Sequence, residues 1–229
     1  MSYFNTLAFG VYPYIAMSTL LLASWIRYDR EQYSWKASSS QLLEKKQLRL
    51  GSILFHIGVL GIFFGHLFGL LTPLELWHML GVEASLKQLV AMVAGGLFGL
   101  ICFAGLSILI IRRLSNPRVR ASSKKMDIII LLLLYAQLVL GLISIFVSMG
   151  HLDGKEMTKL MLWAQNIMTF DMIDAAAYIS DVHWIFKAHV LLGMTLFMLF
   201  PFSRLVHMFS VPLQYLTRQH QIVRKRFAR

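Results

Sequence analysis

Cysteine and charged residues are both scarce in this sequence, and each deficit excludes a class of protein. The chain has one cysteine, Cys102, among 229 residues, so an internal disulfide and a cysteine-rich zinc or iron–sulfur site are excluded. Charged residues make up 14% of the chain, whereas soluble domains contain about 25%. Hydrophobic residues make up 57% and the mean hydropathy is +0.64. The composition therefore predicts an integral membrane protein.

Five apolar stretches are long enough to cross a bilayer, for which about 20 residues are needed. The first includes the N-terminal residues, because these lack the basic n-region and cleavage site of a removable signal peptide. The sequence therefore predicts an all-α integral membrane fold, with one domain over residues 1–229. The predicted transmembrane helices lie near 4–26, 51–71, 86–111, 126–148 and 184–208.

Prolines and amphipathic patterns predict the helix ends and one surface helix. Pro73, Asn116-Pro117 and Pro212 follow the second, third and fifth stretches and predict helix ends there. Pro201 lies inside the fifth stretch, where it predicts a kink that frees a carbonyl. Residues 154–170 alternate polar and apolar side chains at helical spacing, which predicts a helix along the membrane interface.

The net charge of +11 follows the positive-inside pattern and does not form a nucleic-acid footprint. Six Lys or Arg residues lie in each of 27–50, 112–125 and 204–229, whereas the alternate connections, 71–87 and 149–183, carry one and two. This places the N-terminus outside and the C-terminus in the cytoplasm. Loops 27–50 and 112–125 and the tail 209–229 are predicted to bind a cytoplasmic partner. The two loops and the tail are predicted to lie outside the membrane, whereas the five helices of this multi-pass protein are predicted to contact lipid.

Four histidines lie inside apolar stretches, two in the second and two in the fifth. A neutral imidazole in hydrocarbon needs partners for its donor and acceptor, and paired imidazoles commonly ligate haem iron. For any one of them, a structural role or a proton relay is the simpler interpretation, but four at matched depths favour two b-type haems. The four are His56, His66, His189 and His207, whereas His78, His151, His183 and His220 fall in loops or the tail and are expected to be solvated.

Depth in the membrane predicts how the four histidines pair. His66 and His189 lie about five or six residues from the outer ends of their stretches, and His56 and His207 lie near the cytoplasmic ends. At ~1.5 Å per residue, the axial separations within the two stretches are about 15 Å and about 27 Å. His56 and His66 are also roughly 80° out of phase at ~3.6 residues per turn. Helix tilt, tilt of the macrocycles and the kink are expected to absorb these differences.

Glycines beside the histidines have two interpretations that stay open. Gly61, Gly65 and Gly69 recur every four residues, and Gly193 follows His189 by four. Such positions admit a flat ring close to the backbone, but they also let two helices approach directly, and helix packing is the commoner use.

Several segments give the chain a specific resemblance to a known family over nearly its full length. It resembles the cytochrome b (gamma) subunit of membrane-bound respiratory nitrate reductase. The matching segments are VYPYIA (11–16), SWIRYD (24–29), ASSSQLL (37–43), LFHIGVLGIFFGHLFGLLTP (54–73), NPRVRA (116–121), HLDGKEM (151–157), LLGMTLFMLFPFSRLVH (191–207) and SVPLQYLTR (210–218).

The resemblance implies a quinol-oxidising electron-transfer subunit in a bacterial or archaeal cell (inner) membrane. It implies His66 and His189 as iron ligands of an outer haem b, and His56 and His207 as those of an inner haem b. Quinol, either menaquinol or ubiquinol, would be oxidised near the outer haem with protons released outside. Electrons would pass to an iron–sulfur beta subunit and then to molybdenum in an alpha subunit, where nitrate becomes nitrite.

The resemblance also implies a role for Lys87, which matches the family's quinol-site lysine. From the residue alone, a snorkelling lysine at the interface is the simpler interpretation. Arg204 lies one turn before His207, and we expect it to neutralise a propionate of the inner haem. For Arg112 and Arg113, at the same depth, positive-inside anchoring is an equal alternative.

Other functions remain consistent with parts of the sequence. The related alternative is a cytochrome b subunit of formate dehydrogenase or hydrogenase. A transporter or channel could use the histidines as a proton or metal relay, although the second and fifth stretches lack Asp or Glu partners. A purely structural anchor would recruit a partner through the basic face alone. A measurement of haem content distinguishes the cytochrome b alternative from the transporter and from the structural anchor, because only the cytochrome contains haem.

Overall fold

Five long helices form the fold in the computed structural model, which describes residues 3–35, 40 and 42–210. All five are long and apolar enough to cross a membrane, so the predicted spanning helices are confirmed. The described residues contain no strand. The helices are α1 (Tyr3–Arg30), α2 (Lys45–Leu71), α3 (Ala84–Ser115), α4 (Lys125–Met149) and α5 (Trp184–Leu199); short helices cover Leu74–Met79, Pro117–Ala121, Lys155–Met168 and Met172–Tyr178.

Consecutive helices run in opposite directions, so the bundle has two distinct ends. We call the end with the chain reversals 31–44 and 116–124 the basic end, and the end with reversals 72–83 and 150–183 the opposite end. The reversals begin where the sequence predicts: α2 ends two residues before Pro73, and α3 ends just before Asn116. Asn116 caps the next short helix, since its side chain accepts from the N–H groups of Arg118 and Val119. Pro212 and residues 211–229 of the predicted tail lie outside the described residues, as do 36–39 and 41 of loop 27–50.

Helices α2 and α3 pack closely because glycines remove side chains from their contact. A Cβ at Gly58 would lie 2.5 Å from the Cys102 amide nitrogen, and one at Gly51 would lie 3.0 Å from Leu109. A Cβ at Gly105 would overlap the backbone of Phe55. These three glycines therefore serve helix packing, in which small residues let backbones approach.

Helix α5 is interrupted after Leu199, where the sequence predicts a kink. Phe200–Phe202 and Arg204–Ser210 form 3₁₀ turns, and Ser203 between them is extended, with φ −119° and ψ −178°. The chain therefore leaves the helix axis before it reaches His207. The axial distance of about 27 Å between His189 and His207, which assumes a continuous helix, does not apply.

The helix at Lys155–Met168 packs one face against the spanning helices, and its location along the membrane interface stays a prediction. Met161 and Trp163 are buried, and the Trp163 indole N–H donates to Phe9 O at 2.9 Å. The Gln165 side chain donates to the Leu70 and Thr72 carbonyls at the end of α2, both at 3.1 Å. An amphipathic pattern predicts an apolar face, but it does not distinguish lipid from protein as the surface that this face contacts.

Candidate functional site

The four intramembrane histidines lie in two pairs, one towards each end of the bundle. The ring centroids of His56 and His207 are 6.4 Å apart, and those of His66 and His189 are 6.1 Å apart. Each pair joins α2 to the fifth stretch, in the combination that depth predicts. His56 and His66 are ten residues apart on one continuous helix.

Three of the four imidazoles are fixed by a backbone carbonyl of their own segment. Nδ1 of His56 lies 2.7 Å from Ser52 O, Nδ1 of His66 lies 2.9 Å from Ile62 O, and Nδ1 of His207 lies 2.6 Å from Arg204 O. A carbonyl accepts and cannot donate, so each Nδ1 carries the proton. Each Nε2 is then left with a lone pair, which is the arrangement that metal-bound histidines typically have.

His189 differs from the other three, because its ring nitrogen contacts a side chain on α4. The Gln137 amide nitrogen lies 3.3 Å from His189 Nε2, so the amide donates to the Nε2 lone pair, which is engaged in this structure and not free as in the other three histidines. The buried atoms His189 Nδ1 and Gln137 Oε1 have no hydrogen-bond partner among the described residues. Orphaned buried polar atoms are costly and are typical of sites that bind something further.

The spacing of both pairs fits an iron atom held between two imidazoles. Metal–nitrogen bonds of about 2.0–2.1 Å and a ring radius of roughly 1.2 Å place two opposed ring centroids about 6.4 Å apart. No group of three or more His, Cys, Asp or Glu side chains in the described ranges could hold a bare metal ion. Two imidazoles alone are too few for such an ion, whereas haem iron takes four nitrogens from its macrocycle and two from the protein.

Two glycines beside His66 leave the space that a flat ring needs. A Cβ built at Gly65 or Gly69 would meet no atom of the described chain within 4 Å. Gly61 differs, because a Cβ there would overlap the ring of Phe98. The glycine repeat is therefore divided: its first member packs against α3, and its other two, within one turn of His66 on α2, face open space. The residues present fit a haem at this pair.

Lys87 is buried at the opposite end of the bundle, within one turn of the His66 site. Its side chain is turned inward, with the residue 6% exposed, which is incompatible with snorkelling into the interface. Nζ donates to Gly69 O at 2.8 Å, contacts Met161 Sδ at 2.9 Å and lies 4.6 Å from the centre of the Trp77 ring. Gly69 follows His66 by three residues on α2, so the ammonium group is held by a backbone carbonyl within one helical turn of His66.

Comparison with known proteins identifies the family. Residues 5–226 match the family described as nitrate reductase gamma subunit. The chain belongs to the nitrate reductase gamma subunit family. It is thus a subunit of the quinol:nitrate oxidoreductase complex, respiratory nitrate reductase.

Three relatives of the gamma subunit cover nearly all of it. It is 52% identical over 229 residues to respiratory nitrate reductase 1 gamma chain of Escherichia coli (strain K12), covering 99% of this chain and 100% of the relative. It is 49% identical to respiratory nitrate reductase 2 gamma chain of the same strain, with 99% of both chains covered. Identity to the nitrate reductase gamma chain of Bacillus subtilis (strain 168) is 39%, with 95% of this chain and 96% of the relative covered.

Arg204 of the gamma subunit forms an ion pair at the basic end. Its Nη2 lies 2.5 Å from Asp127 Oδ2 at the start of α4, and Arg113 Nη1 lies 3.7 Å from the same oxygen. Arg112, 2% exposed, instead donates to Glu44 O and to Ser40 in the loop before α2. Arg112 therefore anchors a loop, and the contact of Arg204 with a haem propionate stays a prediction.

Sequence reasoning found the histidines and Lys87 but missed their neighbours. Gln137 could have been noticed, because it is a polar residue inside the apolar run LLLLYAQLVLGL. Asp127 could also have been noticed, since it is the first acidic residue after a six-residue basic cluster. Trp77 and Met161 carry no such signal, because they approach Lys87 from segments that are distant in the sequence.

Proposed function

We propose that the gamma subunit anchors nitrate reductase in the bacterial or archaeal cell membrane and oxidises quinol, with two bis-histidine b-type haems as the electron path. His66 and His189 hold the outer haem, and His56 and His207 hold the inner haem. Quinol is oxidised next to the outer haem, with protons released outside. The electrons leave the basic end to an iron–sulfur subunit that serves the molybdenum subunit, where nitrate becomes nitrite.

The observation that carries this proposal is the pair of imidazole–imidazole contacts at 6.1 and 6.4 Å. Both separations are close to the value of about 6.4 Å expected for two imidazoles that would hold one metal between them. A proton relay would not require this spacing at both levels, nor the Nδ1–carbonyl bonds that leave Nε2 as the free lone pair. When bound, the haems supply one-electron transfer.

The side chains of the opposite end bind and orient the quinol in this proposal. Lys87 Nζ has three N–H donors; Gly69 O accepts one and Met161 Sδ another, and the third would be given to a quinol oxygen. Burial makes such a charge-assisted bond stronger than it is in water. His189 Nε2 would hold the haem iron once the Gln137 amide, which now donates to it, has turned away.

The basic end is the surface for the partner subunits. The basic clusters within 27–50 and 112–125 lie there, and the positive-inside rule places this end in the cytoplasm. The N-terminus is then outside. The family resemblance supports the iron–sulfur subunit as the partner.

The test is haem content in single-histidine variants of the complex, purified with its bound partners. The wild type is expected to contain two haems per gamma subunit by pyridine haemochrome analysis. His66→Leu and His189→Leu are expected to lose the same haem and to stop quinol-dependent nitrate reduction. Nitrate reduction with a soluble one-electron donor is expected to continue, because this donor bypasses the membrane subunit.

A matched control is His78→Leu, since His78 is exposed at the same end of the bundle. This variant is expected to keep both haems. Loss of different haems in the His66 and His189 variants would disprove the pairing. A colourless wild-type complex would disprove the haems altogether and favour a relay.

A further inference from the structure

The break after α5 leaves backbone carbonyls that the helix itself cannot satisfy. Proline has no N–H and clashes with the preceding turn, so Pro201 ends the regular hydrogen-bond ladder. Pro201 and Ser203 are both buried, where water does not replace the missing donors. Buried carbonyls of this kind are nearly always paired with another donor.

Arg27, at the end of α1, provides those donors. Its Nη1 donates to Pro201 O and, at 2.8 Å, to Ser203 O. On its other side, Nη2 donates to Ser34 O at 2.9 Å and Nε donates to Ser34 Oγ at 3.3 Å. One planar guanidinium, with five N–H donors in a fixed geometry, therefore joins the break after α5 to the loop that follows α1.

The segment that Arg27 holds is the one that carries His207. Ser203 directly precedes Arg204, and the Arg204 carbonyl fixes the His207 ring at Nδ1. The same loop also contacts the far side of this segment, because the Trp35 indole N–H donates to Ser210 Oγ at 2.5 Å and its ring stacks on Phe209. The position of His207 thus depends on contacts with the first helix and its loop, and not on a continuous helix.

We propose that Arg27 is a positioning residue for the inner haem: it fixes the segment of 3₁₀ turns after α5 that presents His207 opposite His56. The inference rests on the proposed haem ligation by these two histidines. His189 lies on the regular part of α5, ten residues before the break begins, so the outer haem is independent of Arg27.

The test measures haem loss from the purified complex to excess apomyoglobin, with the two haems assigned from the histidine variants. In Arg27→Gln, the inner haem is expected to transfer about 10-fold faster, the lower end of the effect of removing an outer-shell partner, and its midpoint potential is expected to shift. The outer haem is expected to keep its wild-type rate and potential. Arg27→Lys, which keeps the charge but not the fork of donors, is expected to lie between the wild type and Arg27→Gln.

The control is Lys155→Gln, because Lys155 lies at the opposite end of the bundle, away from the proposed partner surface, and its side chain is 79% exposed. This variant is expected to behave as wild type. Equal acceleration for both haems in Arg27→Gln would indicate a general packing defect and overturn the proposal, as would an unchanged inner haem. If the wild-type complex instead contains fewer than two haems, the proposed function itself fails, and this result is separate from any effect of Arg27.

Discussion

At the residue scale, Lys87 differs from the usual behaviour of a lysine near the end of a spanning helix. Such a lysine normally extends its ammonium group into water, but here the group is turned towards Gly69 O and the face of Trp77. Burying an ammonium group is costly unless it has close partners. Its bond to a carbonyl within one helical turn of His66 supports a binding role in place of an anchoring one.

Replacing Lys87 with methionine tests that role, since the variant keeps the unbranched stem and loses the charge. A hydrogen bond to a charged group is worth about 1.5–3 kcal/mol, so quinol binding is expected to weaken about 10-fold to 100-fold. Both haems and the activity with a soluble one-electron donor are expected to remain. The measurement is the quinol concentration dependence of nitrate reduction.

Lys155→Met is the matched control for this experiment. Lys155 lies at the same end of the bundle, but its side chain is 79% exposed and paired with Asp153. An exposed pair of this kind contributes little, so activity with quinol is expected to be unchanged. Equal effects of the two substitutions would argue against a quinol contact at Lys87.

The residues of the site differ in how far the sequence can predict them. Histidines stand out in an apolar stretch because they are polar, and their depth follows from counting residues from the segment ends. The environment of Lys87 does not follow in this way, since it depends on how Met161 and Trp77 pack from other segments. The Gln137–His189 contact cannot be predicted in this way either, because it joins residues on two helices that are 52 positions apart in the sequence.

At the element scale, the glycines of α2 are divided between two uses. Gly58 brings the backbone of α2 against Cys102 of α3, whereas Gly65 faces no part of the described chain. Substitution by alanine tests the two uses separately. The methyl group added at Gly58 would meet the packed helix α3, whereas the one added at Gly65 would enter the space beside His66.

Gly58→Ala is expected to destabilise the bundle, and Gly65→Ala is expected to disturb the outer haem. Overpacking typically costs about 1–3 kcal/mol, so Gly58→Ala is expected to lower the thermal unfolding midpoint in detergent. Gly65→Ala is expected to leave that midpoint unchanged but to shift the spectrum or potential of the outer haem. An unaltered outer haem in Gly65→Ala would show that no ring lies against this glycine.

The sequence predicts the spanning helices better than it predicts their irregular parts. Apolar stretches of about 20 residues have few alternatives to a transmembrane helix, and prolines correctly predict the ends of α2 and α3. Pro201 correctly predicts a break, but the donor that satisfies it, Arg27, is 174 residues away in the sequence. The packing of one face of the helix at Lys155–Met168 likewise depends on long-range contacts.

At the scale of the whole molecule, the two ends of the bundle differ in charge and in the contacts that close them. The basic end is held by arginines that bond to carbonyls and to Asp127. At the opposite end, which has fewer arginines and lysines, the neutral Gln88 side chain donates to Ser148 O and His151 O and accepts from Gly154 N. This asymmetry is the one that sets orientation in a membrane.

Labelling of introduced cysteines tests the orientation directly, because Cys102, the single natural cysteine, is 3% exposed. Leu152→Cys, at the opposite end, is expected to react with a membrane-impermeant maleimide in intact spheroplasts. Ala121→Cys, at the basic end, is expected to react after the membrane is opened. The unsubstituted chain serves as the control. The reverse order of labelling would invert the proposed topology.

The ten-residue interval between His56 and His66 on α2 has an energetic consequence. At ~1.5 Å per residue it separates the two histidine pairs by about 15 Å, half of a hydrocarbon core of about 30 Å. On the proposed electron path, an electron that passes between the pairs would therefore cross about half of the transmembrane voltage. With a negative interior, each 100 mV opposes that passage by roughly 1.1 kcal/mol, half of the full value per charge. If the proposed path is followed, the spacing of two side chains on one helix sets how strongly an energised membrane slows respiration through this subunit.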